Sequence, residues 1–294
     1  MKIVTFNTDR TAPGAEQRYR VGAIIAAGTI ADLTPSILPM GFTASEILRC
    51  FDVDRDFVTP ATDAVNSGEL PTFHRSEVTI GPPVPRPGKI ICIGLNYRDH
   101  AEESGMPIPT SPIIFSKFPS CVIAGGEAIK VPVGSEQVDY EAELAVVIGR
   151  RAKNVRAADA MEHVFGYTNF HDVSARDFQF SDGQWQRGKS CDTFAPMGEF
   201  VATKDEIPNP DDLNIRLRLN GETLQNSNTG QLIFKIPELI ESLSMSITLE
   251  PGDVIATGTP PGVGFARRPP IFMKAGDIVE IEIDGLGILS NKVT

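Results

Sequence analysis

Cysteine is scarce in this chain of 294 residues, and the few present stand far apart: Cys50, Cys92, Cys121 and Cys191. No C-x-x-C pair occurs, so a disulfide scaffold is excluded at this chain length. No apolar run approaches the roughly 20 residues that span a bilayer, and a membrane is therefore not an expected partner. The first residues show no apolar stretch before a small-residue cleavage site, which predicts a cytoplasmic location.

Basic residues are also fewer than acidic residues. The chain has 27 lysines and arginines against 38 acidic residues, a formal net charge of -11. Such a surface repels phosphate backbones and anionic lipid, so nucleic acid is not an expected partner either. An anionic substrate would need a locally cationic pocket. Hydrophobic residues make up 41% of the chain, enough for a globular core, and the length favours one large domain or one plus a small appendage.

Regular alternation of strand and helix is missing, which argues against a doubly wound sheet. Four prolines between residues 81 and 88 cannot continue a helix or a central strand. We therefore predict a small N-terminal α/β domain over residues 1–75, a Pro-rich linker over 76–88 and a large domain over 89–294. In the first of these, residues 19–25 and 29–33 flank a turn at Ala27-Gly28 and predict a hairpin. Ser45 is placed to cap a helix over 46–51.

Strand patterns dominate the large domain. Apolar runs predict strands over 89–94, 143–149, 165–172 and 253–258, and residues 277–283 and 287–291 predict a C-terminal hairpin. Helical patterns are few and cover 157–163 and 236–245. The expected fold class is therefore α+β and rich in strands.

Two glutamates stand at the start of the predicted strand 143–149. Residues i and i+2 of a strand point to the same face, so Glu141 and Glu143 would hold their carboxylates side by side. Like charges that close repel unless a cation lies between them. A third acid, Asp172, ends another apolar strand, and three oxygen ligands without cysteine favour Mg²⁺, Mn²⁺ or Ca²⁺. Taken alone, the pattern is equally typical of the solvated edge of a strand.

Five segments, in this order along the chain, resemble motifs of the fumarylacetoacetate hydrolase family: GLNYRDH at 94–100, YEAEL at 140–144, DVSARD at 172–177, KSCDT at 189–193 and GTPPGVG at 258–264. The resemblance covers roughly residues 89–291. It implies a mixed β-sandwich roll, with Glu141, Glu143 and Asp172 binding one Mg²⁺ or Mn²⁺ per chain. It also implies a homodimer and, since no fourth acidic ligand is recognised upstream, the shorter type with three carboxylates and a small N-terminal domain.

An acid–base pair is predicted at His100 and Glu103. Residues i and i+3 are neighbours on a helical turn, so Glu103 could orient His100 and raise its basicity. The same spacing also fits a solvated acidic turn, and the family resemblance favours the dyad. Gly105 and Pro107 follow, and we predict that this segment is a lid over the substrate.

Four further residues receive roles. Lys189 is predicted to neutralise an enolate oxygen. By resemblance, Arg176 and Gln179 face a substrate carboxylate, and Thr259 donates its hydroxyl to the same ligand. The alternative for Lys189 and Arg176 is that they are surface charges, and the alternative for Thr259 is that it only forms a turn.

Residues 183–190 match the phosphate-binding pattern G-x-x-x-x-G-K-S. That pattern needs a helix directly after it, and Pro196 prevents one of useful length. We therefore reject nucleotide binding here.

The expected activity is metal-dependent hydrolysis of a carbon–carbon bond in a 1,3-diketo acid such as an acylpyruvate, through a stabilised enolate. The substrate is thus a small anionic keto acid. The alternatives on the same site are decarboxylation of oxaloacetate, tautomerisation or isomerisation of a 2-oxo acid, and hydrolysis of a diketo sugar acid, since a fold does not separate these.

Overall fold

The computed structural model describes residues 1–8, 18–26, 28–37, 41–103 and 105–294. Strands dominate these residues, which confirms the strand-rich α+β class. In chain order the strands are β1 (Lys2–Asn7), β2 (Arg18–Ala26), β3 (Thr29–Asp32), β4 (Phe42–Thr43), β5 (Thr72–His74), β6 (Thr79–Ile80), β7 (Ile90–Gly94), β8 (Ile113–Lys117), β9 (Val122–Ala124), β10 (Val138–Asp139), β11 (Ala142–Ile148), β12 (Val164–His171), β13 (Ser174–Ala175), β14 (Ala195–Met197), β15 (Val201–Thr203), β16 (Asn214–Leu219), β17 (Glu222–Asn228), β18 (Val254–Ala256), β19 (Ile278–Ile283) and β20 (Gly287–Lys292).

The helices of the described residues are short. They are α1 (Thr34–Ile37), α2 (Val58–Ser67), α3 (Arg98–Glu103), α4 (Arg176–Ser181), α5 (Gln186–Lys189) and α6 (Ile236–Ser246). Separate 3-10 helices cover Glu46–Phe51, Val53–Arg55, Arg75–Glu77, Pro119–Cys121, Ala157–His163, Thr229–Gln231 and Gly264–Ala266. None of the helices in the described ranges is long and apolar enough to cross a bilayer.

A large mixed sheet carries the centre of the molecule, with the order β5-β3-β2-β1-β15-β12-β11-β18-β7-β8 along its main path. Every residue of β11, β12 and β18 is buried, as the apolar run at 144–148 in β11 requires of a strand covered on both faces. β11 pairs antiparallel with β12 and β18, and β18 pairs parallel with β7. The predicted strands 89–94, 143–149, 165–172 and 253–258 are thus the neighbours at the centre of this sheet.

A second sheet has the order β17-β16-β19-β20 and packs against β11 and β12. In β19 the side chains of Val279, Ile281 and Ile283 are buried and the intervening residues are not, as the predicted alternation requires. The C-terminal hairpin β19–β20 is confirmed by its register from Ile278 to Ile283. The core therefore lies between two sheets.

The predicted N-terminal hairpin is confirmed as β2 and β3, which pair antiparallel, although Ala27 of its turn lies outside the described residues. Gly22 lies in this pair, where an added Cβ would meet Ile30 at 2.6 Å. β1 pairs with β15, so the N-terminal strands extend the large sheet. The boundaries 1–75, 76–88 and 89–294 stay a prediction.

The capping role of Ser45 is wrong. Its side chain makes no cap hydrogen bond, and residues 46–51 form a 3-10 helix. Thr43 and Glu46 close this turn instead: the Glu46 carboxylate accepts from the Thr43 amide at 2.7 Å, and the Thr43 hydroxyl accepts from the Glu46 amide at 3.3 Å. The predicted helix 157–163 is also of the 3-10 type, whereas 236–246 is α-helical.

Candidate metal and substrate site

The three predicted carboxylates come together where β11 begins and β12 ends. These strands pair antiparallel, with Ala142 opposite His171, and the Asp172 amide donates to the Glu141 carbonyl at 3.0 Å. One oxygen from each of Glu141, Glu143 and Asp172 lies within 4.8 Å of the others. All three side chains are buried. The solvated-edge alternative is therefore wrong, and the cluster has the composition of a site for a hard cation.

Two buried lysines hold this cluster. Lys189 Nζ donates to Glu141 Oε2 at 2.7 Å and to Asp172 Oδ2 at 2.8 Å. Lys117 Nζ donates to Asp172 Oδ1 at 2.5 Å and to the Val173 carbonyl at 2.9 Å. We call Glu141, Glu143, Asp172, Lys117 and Lys189 the inner cluster. Its members are drawn from distant parts of the chain.

The two glutamates have opposite electrostatic environments. Burial raises the pKa of Glu141, but the charges of Lys189 and Arg176 outweigh it and lower that pKa to about 2. Burial together with the charges of Asp172 and Glu141 raises the pKa of Glu143 well above its ordinary value. Glu143 receives one hydrogen bond, from the Gly258 amide at 2.9 Å, and no lysine or arginine among the described residues forms an ion pair with it. A divalent cation supplies the positive charge that Glu143 needs, so the residues fit the predicted ion.

Local packing explains how Lys189 reaches the cluster. Lys189 ends α5, and Gly188 beside it has no room for a side chain, because an added Cβ would meet the Ala175 carbonyl and the Gln179 amide at 2.5 Å. α5 therefore packs directly against α4. Burial lowers the pKa of Lys189, but Asp172 and Glu141 raise it above the ordinary value, so the side chain is an ammonium.

His100 and Glu103 lie on α3 as predicted. The His100 Nδ1 atom is 3.4 Å from Glu103 Oε2, and that carboxylate also accepts from the Gly262 amide at 3.1 Å. The dyad is thus joined to the loop that follows β18. His100 is buried, whereas Met106 of the predicted lid is 53% exposed. The lid itself stays a prediction, and Ser104 lies outside the described residues.

A cavity of about 530 Å³ joins the dyad to the carboxylates. Its inner wall contains Glu141, Glu143 and Lys189, and Arg176, Gln179 and Thr259 also line it. The aromatic side chains of Phe115, Phe180, Trp185 and Phe265 also line it. All the predicted site residues except Asp172 line this one cavity, and Asp172 is hydrogen-bonded to Lys189. A larger groove of about 730 Å³ runs along β8 and contains none of them.

Arg176 was predicted to face a substrate carboxylate, but in the structure its guanidinium is already paired with two acids of the protein. Its Nε donates to Asp139 at 2.8 Å, Nη1 to Gln179 at 2.9 Å and Nη2 to Glu141 at 2.5 Å. Burial lowers the pKa of Arg176, but the charges of Glu141 and Asp139 outweigh this effect and raise the pKa above its ordinary value. The guanidinium therefore already holds Glu141 in place. Its predicted contact with substrate stays a prediction, as does that of Gln179.

Thr259 belongs to a hydrogen-bonded chain that begins on another strand. The Gln225 amide nitrogen donates to the Thr259 hydroxyl and to the Pro260 carbonyl, both at 2.8 Å, and Gln225 Oε1 accepts from the Ala142 amide at 2.9 Å. Thr259 is thereby fixed beside the start of β11. Its predicted hydrogen bond to substrate stays a prediction.

Sequence reasoning missed Lys117, Asp139 and Gln225. Asp139 precedes Glu141 by two residues, so the alternation that paired Glu141 with Glu143 extends to it. Lys117 follows Phe115 by two residues at the end of β8, and that alternation could have placed both on one face. Gln225 carries no comparable signal, because its role depends on how β17 meets the loop after β18.

The phosphate-loop pattern at 183–190 has the wrong structure for nucleotide. Its helix, α5, lies inside the pattern and ends at Lys189, and no helix follows over residues 190–194. The lysine that would meet a phosphate instead bonds two carboxylates of the inner cluster. The rejection of nucleotide binding agrees with this geometry.

Comparisons with known proteins identify the family. Residues 89–294 match the family described as fumarylacetoacetate (FAA) hydrolase, C-terminal. A solved fumarylacetoacetate hydrolase from the psychrophile Exiguobacterium antarcticum is 33% identical with a TM-score of 0.82, over 100% of this chain and 99% of that chain. Maleylpyruvate hydrolase from Sphingobium sp. SYK-6, solved in complex with manganese (II) ion and pyruvate, is 30% identical with a TM-score of 0.78, over 100% and 99% of the two chains. These matches confirm the predicted fold.

A relative of Bos taurus is named oxaloacetate tautomerase FAHD2A, mitochondrial, and is 52% identical over 227 residues, 76% of this chain and 72% of that protein. Similar proteins of Homo sapiens and Xenopus laevis are also named mitochondrial oxaloacetate tautomerases. The predicted cytoplasmic location is wrong by this comparison. Its basis was the lack of a recognised leader, and such a lack does not determine the compartment.

The same names bear on the expected reaction. Hydrolysis of a carbon–carbon bond is not confirmed, and the alternative of 2-oxo acid tautomerisation has the better support among similar proteins. The coarser expectation, an enzyme of this family with a carboxylate cluster suited to a metal, agrees with the comparisons and the geometry. The chain belongs to the fumarylacetoacetate hydrolase family.

Proposed function

We propose that this protein catalyses keto–enol interconversion of a small 2-oxo diacid, with oxaloacetate as the first candidate. One observation carries the proposal: a single cavity is lined by Glu141, Glu143, Lys189 and the His100–Glu103 dyad, in a chain 52% identical to an oxaloacetate tautomerase. Tautomerisation needs a base for the proton at carbon 3 and positive charge at the 2-oxo oxygen. The cavity contains candidates for both.

Glu141, Glu143 and Asp172 would hold the Mg²⁺ or Mn²⁺. When bound, a divalent cation supplies Lewis-acid stabilisation of a developing enolate oxygen. Among the described residues, four buried acids of the site (the three ligands and Asp139) face three buried cations (Lys117, Lys189 and Arg176). A divalent cation would change the net charge of this group from -1 to +1. This balance suits an anionic substrate in a protein that is acidic overall.

The chain's own residues would move the proton. His100 takes a proton from carbon 3, and the imidazolium then gives that proton to the enolate oxygen. Glu103 holds the imidazole ring through Nδ1. The Lys189 ammonium, fixed between Glu141 and Asp172, stabilises negative charge on the 2-oxo oxygen. Because the reaction moves one proton and breaks no carbon–carbon bond, no attacking water is required.

Hydrolysis is the second candidate. A structure similar to this one is a maleylpyruvate hydrolase with manganese and pyruvate bound, so its site accepts the 2-oxo acid unit. In hydrolysis His100 would instead deprotonate a water. The predicted homodimer also stays a proposal, which size-exclusion chromatography with light scattering tests directly.

The deciding experiment compares products. Enol-oxaloacetate is added to the protein with Mg²⁺ or Mn²⁺, and enol absorbance, CO₂ and organic acids are followed, with metal alone as the background. We expect enol decay and hydrogen–deuterium exchange at carbon 3 above background, with no excess CO₂. Excess CO₂ would identify a decarboxylase, and two acids from an acylpyruvate would identify a hydrolase. No acceleration with any of these substrates would refute the proposal.

A further inference from the structure

Arg268 stands apart from the other cations of the cavity. The lysines and arginines that line it are Arg176, Lys189 and Arg268. Arg176 is paired with Asp139 and Glu141, and Lys189 with Glu141 and Asp172. Arg268 makes no ion pair with any carboxylate of the described residues, and its Nη1 donates to the carbonyls of its own turn, at 3.0 Å to Arg267. It is the cation of this cavity whose charge remains available.

The backbone that carries Arg268 is firmly held. The Gly264 and Phe265 amides donate to Asp139 at 2.7 and 3.0 Å. The neighbouring Arg267 donates through Nε to the Gly262 carbonyl at 3.0 Å and through Nη2 to the Leu224 carbonyl. The Phe265 ring lies under the Arg176 guanidinium at 4.5 Å. Arg268 thus extends from an anchored loop, and its side chain is exposed.

The same loop lines both the buried and the exposed part of the cavity. Thr259 lies in the buried inner part beside Gln225, and Arg268 lies in the exposed outer part. A 2-oxo diacid has one carboxylate next to the reacting carbonyl and a second at its far end. The carboxylate next to the reacting carbonyl would lie beside the inner cluster. The second would extend toward the outer part, where the other lining residues are mostly apolar and cannot neutralise it.

We propose that Arg268 binds the distal carboxylate of the substrate and makes this cavity selective for 2-oxo diacids over mono-acids. This inference rests on the proposed function for the orientation of the substrate. A guanidinium offers two parallel N–H donors to a carboxylate, which gives both affinity and geometric selection. Arg268 is a specificity-determining residue and does not touch the reacting carbon.

The test uses two unreactive ligands that differ by the distal carboxylate, malate and lactate. Each is titrated calorimetrically into the Mg²⁺-saturated protein, as wild type, Arg268→Gln and Arg268→Lys. We expect wild type to prefer malate by about tenfold, the usual worth of one charge-assisted contact. Arg268→Gln should lose that preference with lactate affinity unchanged, and Arg268→Lys should retain part of it.

Arg151→Gln is the matched control, since it removes the same charge from an exposed arginine that pairs with Glu250 and does not line the cavity. Folding should survive in Arg268→Gln because the side chain bonds only to its own turn, and thermal unfolding checks this. Retention of the malate preference in Arg268→Gln, its loss in Arg151→Gln, or its absence from wild type would overturn the inference.

Failure of this inference is distinguishable from failure of the proposed function. If wild type tautomerises oxaloacetate and Arg268→Gln does so with unchanged KM, the function stands and the role of Arg268 is wrong. If wild type binds malate through Arg268 but tautomerises nothing, the diacid pocket stands and the reaction is wrong.

Discussion

The inner cluster and the rim of the cavity are built differently. By the rim we mean His100 and Glu103, the exposed residues 105–108, and residues 265–268. Each inner side chain is held by partners from other elements, as Lys189 is by Glu141 and Asp172. At the rim, Glu103 and Met106 are exposed, and the Arg268 side chain donates to carbonyls of its own turn. The two regions therefore differ in how firmly their charged groups are held, because buried charges interact more strongly in a low dielectric.

Replacement of Glu143 should have the largest effect on activity. Glu143→Gln keeps the acceptor for the Gly258 amide and removes a ligand charge, so metal binding and turnover should both be lost. The metal-free protein should become more stable by on the order of 1 kcal/mol, because like-charge repulsion is relieved. Since the folded state holds this proton more tightly than the unfolded state, the ionisation cost grows as pH rises above 4.5. The gain should therefore be larger at pH 8 than at pH 5.

Glu141→Gln is the matched control. It leaves Lys189 and Arg176 short of a charged partner, so the metal-free protein should lose about 2–3 kcal/mol of stability. Calorimetric metal titration and thermal unfolding in chelator measure both variants. Equal changes in stability for the two variants would contradict the electrostatic difference between these glutamates.

His100→Gln separates proton transfer at the rim from metal binding in the inner cluster. We expect kcat to fall by about 10²- to 10³-fold, because a positioned base is lost. The metal affinity should change by less than about twofold, because His100 is not one of the proposed ligands and lies outside the inner cluster. Steady-state kinetics and calorimetry measure these. His163→Gln, on a 3-10 helix outside the cavity, is the control, and an unchanged kcat in His100→Gln would remove the dyad from the mechanism.

Lys117→Met tests whether the lysine that escaped sequence analysis supports the metal site. Loss of a group that orients a ligand should weaken metal binding by about 10- to 100-fold. Lys89→Met is the matched control: it also removes a lysine that bonds an aspartate, at 2.6 Å to Asp253, but that lysine is 37% exposed. If the two variants bound the metal equally well, the role of Lys117 would be wrong.

Met106→Ala should have the smallest effect. An exposed side chain contributes within about 0.5 kcal/mol to stability, so the melting temperature should not change and KM should change by less than about threefold. A fall in kcat of more than about tenfold would instead show that this segment closes over the substrate, as predicted for the lid. Steady-state kinetics with wild type alongside measure this.

Local pattern was enough for the strands of the central sheet. The strands predicted at 89–94, 143–149 and 165–172 are observed at Ile90–Gly94, Ala142–Ile148 and Val164–His171. Local pattern did not predict whether the short helices are α-helices or 3-10 helices. Residues 46–51 and 157–163 are 3-10 helices, because spacing over one or two turns hardly separates the two forms.

Strand alternation and the order of the motifs were enough to place Glu141 beside Glu143 and Asp172 at the end of a strand. Neither reveals that β12 pairs with β11, the contact that brings Asp172 to the glutamates. The fold likewise sets the partners of the cations: Arg176 is bound to two acids, whereas Arg268 forms no ion pair with any acid among the described residues. The physical reason is that the partner of a charge depends on contacts between residues far apart in the chain, and no local period records them.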